Sequence, residues 1–100
     1  METNNSASSS RRYRLRSDSL KITEGKVGDH SHYLLEDTES GNRHRLYALE
    51  YRVAMLLDGE RKADDISQML FDEVGFRAAP IDVDRFATQL LALGFVEVVS

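Results

Sequence analysis

The period of the hydrophobic pattern changes once along this chain, near Tyr47, and that change sets what it can fold into. From Leu20 to Tyr47 apolar and polar residues alternate: Leu20 and Ile22 with Lys21 and Thr23, then His32-Tyr33-Leu34-Leu35-Glu36, then Arg43 to Tyr47. Period two is the signature of half-buried strands. Gly25 and Gly28 are expected to break the first run, and Asp37-Thr38-Glu39-Ser40-Gly41-Asn42 is a dense turn cluster before the last. The expectation is a three-stranded antiparallel meander.

After Tyr47 the spacing lengthens to three and four residues. Leu49, Val53, Leu56 and Leu57 form one helical stripe, widened by Ala54 and Met55, with Asp58-Gly59 as its terminator. Ile66, Met69, Leu70 and Val74 form a second stripe ending near Gly75. Val83, Phe86, Ala87, Leu90 and Leu93 form a third, with Asp82 as N-cap and Gly94 as its stop. Phe95 to Val99 reads as a short last strand or an apolar tail. The chain stops just after this run, as either a fragment or a natural end would. The fold class expected is α+β, winged helix-turn-helix-like, an N-terminal three-stranded antiparallel meander followed by three helices.

Residues 1–12 are rich in Asn, Ser and Thr and nearly free of apolar side chains, so they are expected to be a disordered tail before a single domain over 13–100. The Arg11, Arg12, Arg14, Arg16 run at its end reads as solvated linker. Cysteine is absent, which excludes disulfides and thiolate metal sites and suits a reducing, cytoplasmic setting. No segment is apolar for the length of a membrane span.

The net charge of −4 is unevenly spread. Residues 1–47 carry eight Lys/Arg and seven Asp/Glu, whereas residues 48–100 carry five and ten. The helical half is therefore acidic, and the third helix offers a phosphate backbone only Arg85 and Gln89 beside Asp82 and Asp84. Nucleic acid is a disfavoured partner. His30, His32 and His44 invite a metal reading, since His44 on the pairing strand would approach the other two. Their spacing matches no structural zinc pattern, however, and no metal or other cofactor is expected. There is no His-Glu-x-x-His, Gly-rich phosphate loop or Gly-x-Ser-x-Gly sequence, and Asp64-Asp65 and Asp72-Glu73 sit at helix ends where dipole and solvent suffice. The chain is expected not to be an enzyme.

Leu46-Tyr47, Glu50, Leu56-Leu57-Asp58-Gly59-Glu60-Arg61, Asp65-Ile66, Leu70, Val83, Leu90 and Gly94-Phe95 together resemble the PqqD-like domains, the precursor-peptide recognition elements of ribosomal peptide modification. Tyr33-Leu34-Leu35-Glu36-Asp37, Ser40-Gly41 and Arg45-Leu46 resemble the version found at the N-terminus of membrane-bound site-2-protease-like zinc peptidases and membrane-fusion secretion proteins. The resemblance spans roughly Leu15 to Val99, and its one sharp element is Leu-Leu-Asp-Gly followed by an acidic-Ile step. Tyr47 and Lys62 depart from it, standing where family members often have Ser, Thr or Asn as N-cap, which costs about 1 kcal/mol per cap.

The resemblance implies a noncatalytic recognition module in which a precursor or substrate peptide adds as an extra antiparallel strand beside the third strand and the third helix. Carried onto this chain, the peptide-binding residues are Arg43, His44, Arg45, Leu46 and Tyr47 on the strand, and Arg85, Thr88, Gln89 and Ala92 on the helix. The partner implied is a peptide or protein, presented for modification, processing or export. A regulatory or scaffolding domain at the head of a membrane-bound peptidase or transporter is the alternative, and winged-helix DNA binding the third.

Overall fold

The computed structural model describes residues 11–99. The expected tail lies, up to residue 10, outside the described residues. Arg12, assigned to that tail by composition, instead opens the first strand. In chain order the elements are β1 (Arg12–Leu15), a 3-10 turn (Ser17–Ser19), β2 (Leu20–Val27), β3 (His30–Asp37), β4 (Arg43–Tyr47), α1 (Ala48–Met55), β5 (Asp58–Lys62), α2 (Ala63–Val74), α3 (Pro80–Ala92) and β6 (Val96–Val98). The protein is α+β, and its described residues form two three-stranded antiparallel sheets and three α-helices.

The first sheet is the meander β2-β3-β4, paired as Ile22↔Leu35 and Gly25↔His32 on one side and Tyr33↔Leu46 and Leu35↔His44 on the other. Gly25 does not break β2. It lies opposite His32, whose ring nitrogen Nε2 sits 2.6 Å from where a Cβ would stand, so the glycine lets the imidazole lie flat across the strand. The two-residue connection Gly28-Asp29 closes β2 onto β3, with Gly28 at φ +63° supplying the left-handed step.

The second sheet, β5-β1-β6, joins the expected short last strand, Val96–Val98 within Phe95 to Val99, to two strands from segments read otherwise, β1 as tail and linker and β5 as a helix end. Asp58-Gly59 does not end α1. That helix stops at Met55 with Leu56 as its C-cap, and Asp58 begins β5. Gly59 is left-handed as expected (φ +86°), but inside the strand, where the β1–β5 register shifts between Arg12 and Arg14. The arginine run is not solvated linker either. Arg12 Nε donates to the Glu60 carbonyl at 3.1 Å and Arg14 pairs with Glu97 at 2.6 Å, while Tyr13 and Leu15 between them are buried.

The helices follow their stripes with local corrections. α3 starts at Pro80 after Ala79 as N-cap, not at Asp82; proline suits the first helical position because its missing N–H has no intrahelical partner there. Asp82 falls in the first turn, where the dipole favours an acid. Tyr47 and Lys62 cap α1 and α2 with no side-chain bond. The acid three residues on, however, reaches back in each case, Glu50 Oε1 accepting from the Tyr47 N–H at 2.9 Å and Asp65 Oδ2 from the Lys62 N–H at 3.0 Å. Half of a capping box thus survives at both helices.

The core is continuous from Tyr13 and Leu15 through Leu35 and Leu46 to Val53, Ile66, Leu70, Val83, Leu90 and Phe95. Met55 and Val74, expected inward, are more than two-fifths exposed. Tyr33 of β3 stacks on Tyr51 of α1, ring centroids 3.7 Å apart, which seats the meander on the first helix.

Candidate functional site: the open edge of β4

β4 pairs with β3 alone, so it is an edge of the meander. Which of its backbone groups are open follows from the register. The Asp37 N–H donates to the Asn42 carbonyl at 2.8 Å, which makes 37–42 a hydrogen-bonded pair. Antiparallel pairs alternate in type, so His44 and Leu46 also bond to β3, whereas Arg43, Arg45 and Tyr47 fall at non-bonded positions and turn N–H and C=O outward. The Tyr47 N–H is taken by Glu50. The outward N–H and C=O of Arg43 and Arg45 have no partner among the described residues, and they form a ready template for one more strand.

Side chains alternate likewise. Arg43, Arg45 and Tyr47 project from the outer face and are exposed; Leu46 is completely buried and His44 half-buried, its ring 6.3 Å from that of Phe95. Leu46 therefore belongs to the core and serves an edge partner only through neighbouring backbone. His44 sits opposite Leu35 on the inner face, whereas His32 lies opposite Tyr47 on the outer face. The approach of His44 to His30 and His32 that a metal site would need does not occur, because a strand sends neighbouring residues to opposite sides.

The start of β4 meets the C-terminal end of α3. Asn42 Nδ2 donates to the Leu93 carbonyl at 3.1 Å, and Phe95, just past the helix, packs under His44. Neither Asn42 nor Leu93 was expected to position this site; the Asn in the turn cluster was the only signal. Arg85, Gln89 and Ala92 are exposed on α3. Thr88 is exposed on the same stripe, at its β1 side: its hydroxyl donates to the Asp84 carbonyl at 2.8 Å and lies 3.4 Å from the Tyr13 hydroxyl. Arg85 also leans on Asp82 at 3.5 Å.

Beyond Tyr47 the chain leaves the sheet as α1, but β3 continues two residues further, to Ser31 and His30. The step leaves a concavity of about 810 Å³ lined by Val27, His30, His32, Arg45, Tyr47 and Leu49. A strand laid along β4 would run into this notch.

The electrostatic anchor of the hairpin lies at its other end. Asp37 is buried, and the Glu39 N–H, the Ser40 hydroxyl and Arg16 hold its carboxyl below the usual carboxylate range, outweighing the effect of burial. Among the described residues no three His, Cys, Asp or Glu side chains form a group able to hold a metal ion. No helix among them is long and apolar enough to cross a membrane. Comparison of the chain with protein-family models, curated proteins and solved structures finds no match.

Proposed function

We propose that this chain is a noncatalytic recognition module, PqqD-like and winged-helix-like in character, that takes an extended peptide as a fourth strand on β4 and presents it to a modification, processing or export protein. The observation that carries this reading is the pair of outward, unpartnered backbone units at Arg43 and Arg45 on an edge strand. Main-chain hydrogen bonds to such an edge supply affinity, and alternate side chains supply specificity. The notch beyond Tyr47 extends the track, and Leu93, which follows the uncharged end of α3, lies at its beginning without repelling a peptide. The setting proposed is cytoplasmic.

Hydrogen exchange by NMR tests strand addition residue by residue. In the free protein the Arg43 and Arg45 amides should exchange quickly, and those of His44 and Leu46, bonded to β3, slowly. Ten-residue peptides selected on the protein from a random display library should protect Arg43 and Arg45 and leave the other two unchanged. Selected peptides that bind without protecting either arginine amide would rule the reading out.

A further inference from the structure

Ten arginines occur in the sequence, and nearly all have work within the fold. Arg14, Arg16, Arg52, Arg61 and Arg85 each hold a carboxylate, at distances from 2.6 to 3.5 Å. Arg77 covers the Phe71 ring at 4.5 Å, Arg12 is bound to the Glu60 carbonyl, and Arg11 interacts electrostatically with Tyr13. Arg43 and Arg45 are the exceptions: among the described residues neither has an ion pair or a ring beneath it, although the chain carries an excess of acid. Glu36 stands opposite Arg43 in register and between it and Lys21, yet closes no ion pair with either. Opposite Arg45 stands Leu34.

These two cations project from the same residues whose backbone is open, two positions apart, about 7 Å along the strand. A strand added to β4 would place its own alternate side chains beside them. An antiparallel partner therefore meets Tyr47 first, Arg45 two residues later and Arg43 two after that. We infer that the peptide recognised at β4 is acidic at alternate positions, with the pattern aromatic or branched apolar, any residue, Asp or Glu, any residue, Asp or Glu. The inference rests on strand addition at this edge and specifies its substrate class. The intervening residues turn to the inner side, where Leu93 and the uncharged end of α3 lie. Arginine at both positions also favours carboxylates geometrically, since a guanidinium takes a carboxylate with two parallel hydrogen bonds.

The competing account is that Arg43 and Arg45 only keep the edge from pairing with another copy of the chain. Three blocked ten-residue peptides separate the two, sharing a flank and differing in a core of Tyr-Val-Glu-Val-Asp, its neutral twin Tyr-Val-Gln-Val-Asn and its basic twin Tyr-Val-Lys-Val-Lys. Fluorescence anisotropy should give the acidic peptide about tenfold tighter binding than the neutral one, as expected of two exposed ion pairs, with an advantage that shrinks as salt rises. It should protect the Arg43 and Arg45 amides. In R43E/R45E, whose changes lie on exposed side chains, the basic peptide should become the best of the three; R43Q/R45Q should level the series. Equal binding of acidic and neutral peptides with both amides protected overturns the charge inference and leaves strand addition standing. So does an acidic peptide that fails where library-selected peptides protect the edge. An acidic preference that survives R43E/R45E also overturns it, as does capture of anionic lipid vesicles without the peptide.

Discussion

Arg16 joins Asp37 across the two sheets: its Nη1 donates to the buried Asp37 carboxylate at 3.2 Å and to the Gly94 carbonyl at 2.6 Å. The other terminal nitrogen reaches Glu39 at 3.1 Å. One guanidinium thus fastens the β1 sheet, the β3–β4 hairpin loop and the turn that leaves α3. The hairpin whose far strand is the open edge is oriented from this point, and Asn42, in the same loop, adds its bond to Leu93.

Asp37 makes this junction sensitive to acid. Its folded carboxyl titrates below the usual range, chiefly because the Glu39 N–H donates to it, with Ser40 and Arg16 adding to the effect. A group whose folded pKa is depressed contributes stability that is fully present above its unfolded value, about 3.9, and is lost as pH falls through the folded value. Urea denaturation from pH 7 to pH 2 should show Asp37→Asn less stable than wild type at neutral pH, with the gap closing below about pH 4. A gap constant with pH would show that the carboxylate's charge does not matter there.

Phe95 is completely buried between the end of α3 and β6, beneath His44. Phe95→Ala removes the largest side chain of the junction and should cost about 3–5 kcal/mol, which a domain this small barely tolerates. Because β4 rests on this ring, the amides of His44 and Leu46 should lose exchange protection before those of β2. Uniform loss across the meander would mean that the ring does not support the edge in particular.

Gly59 lies in the left-handed region at φ +86°, and a Cβ there would stand 3.3 Å from Val99. Gly59→Ala should therefore destabilise the protein by about 1–2 kcal/mol. Gly28→Ala, also left-handed (φ +63°) but with open space around it, should cost no more than the backbone penalty alone. Thermal melts of the two variants compare the terms directly, and a smaller loss at Gly59 than at Gly28 would argue against close packing of β5 on the chain's end.

What could be read beforehand was what has a period. The meander strands, the three helical stripes and the stops at Gly75 and Gly94 emerge from spacing because each buries one face. β1 and β5 do not. Arg12–Leu15 offers only two apolar residues among arginines, and Asp58–Lys62 has no apolar side chain at all; its place is fixed by pairing with β1 across more than forty residues of sequence. Long-range pairing leaves no local trace. The β4 half of the candidate site was legible as an alternating run, but which of its residues face outward depended on the hydrogen-bond phase set at Asp37 and Asn42. On α3 the contact of Thr88 with Tyr13 left no trace in the sequence, because Tyr13 stands in a strand that its own pattern does not announce.

That phase also makes a sharp prediction about proline. Proline removes a backbone N–H, which a strand tolerates only where the N–H faces solvent at an edge. At Arg45 the N–H points away from β3, so Arg45→Pro should leave the ladder whole and shift the urea midpoint little. One residue earlier the N–H of His44 bonds to β3, and His44→Pro should lose that bond and the strand's regularity, at least about 1 kcal/mol. Strand addition needs the outward N–H, so Arg45→Pro should abolish binding of library-selected peptides while the protein stays folded. Arg45→Ala, which keeps the N–H and loses the side chain beyond Cβ, should retain part of it. Should Arg45→Pro unfold the protein and His44→Pro spare it, the register of β4 would be one residue out of phase, and the open edge would belong to His44 and Leu46 instead.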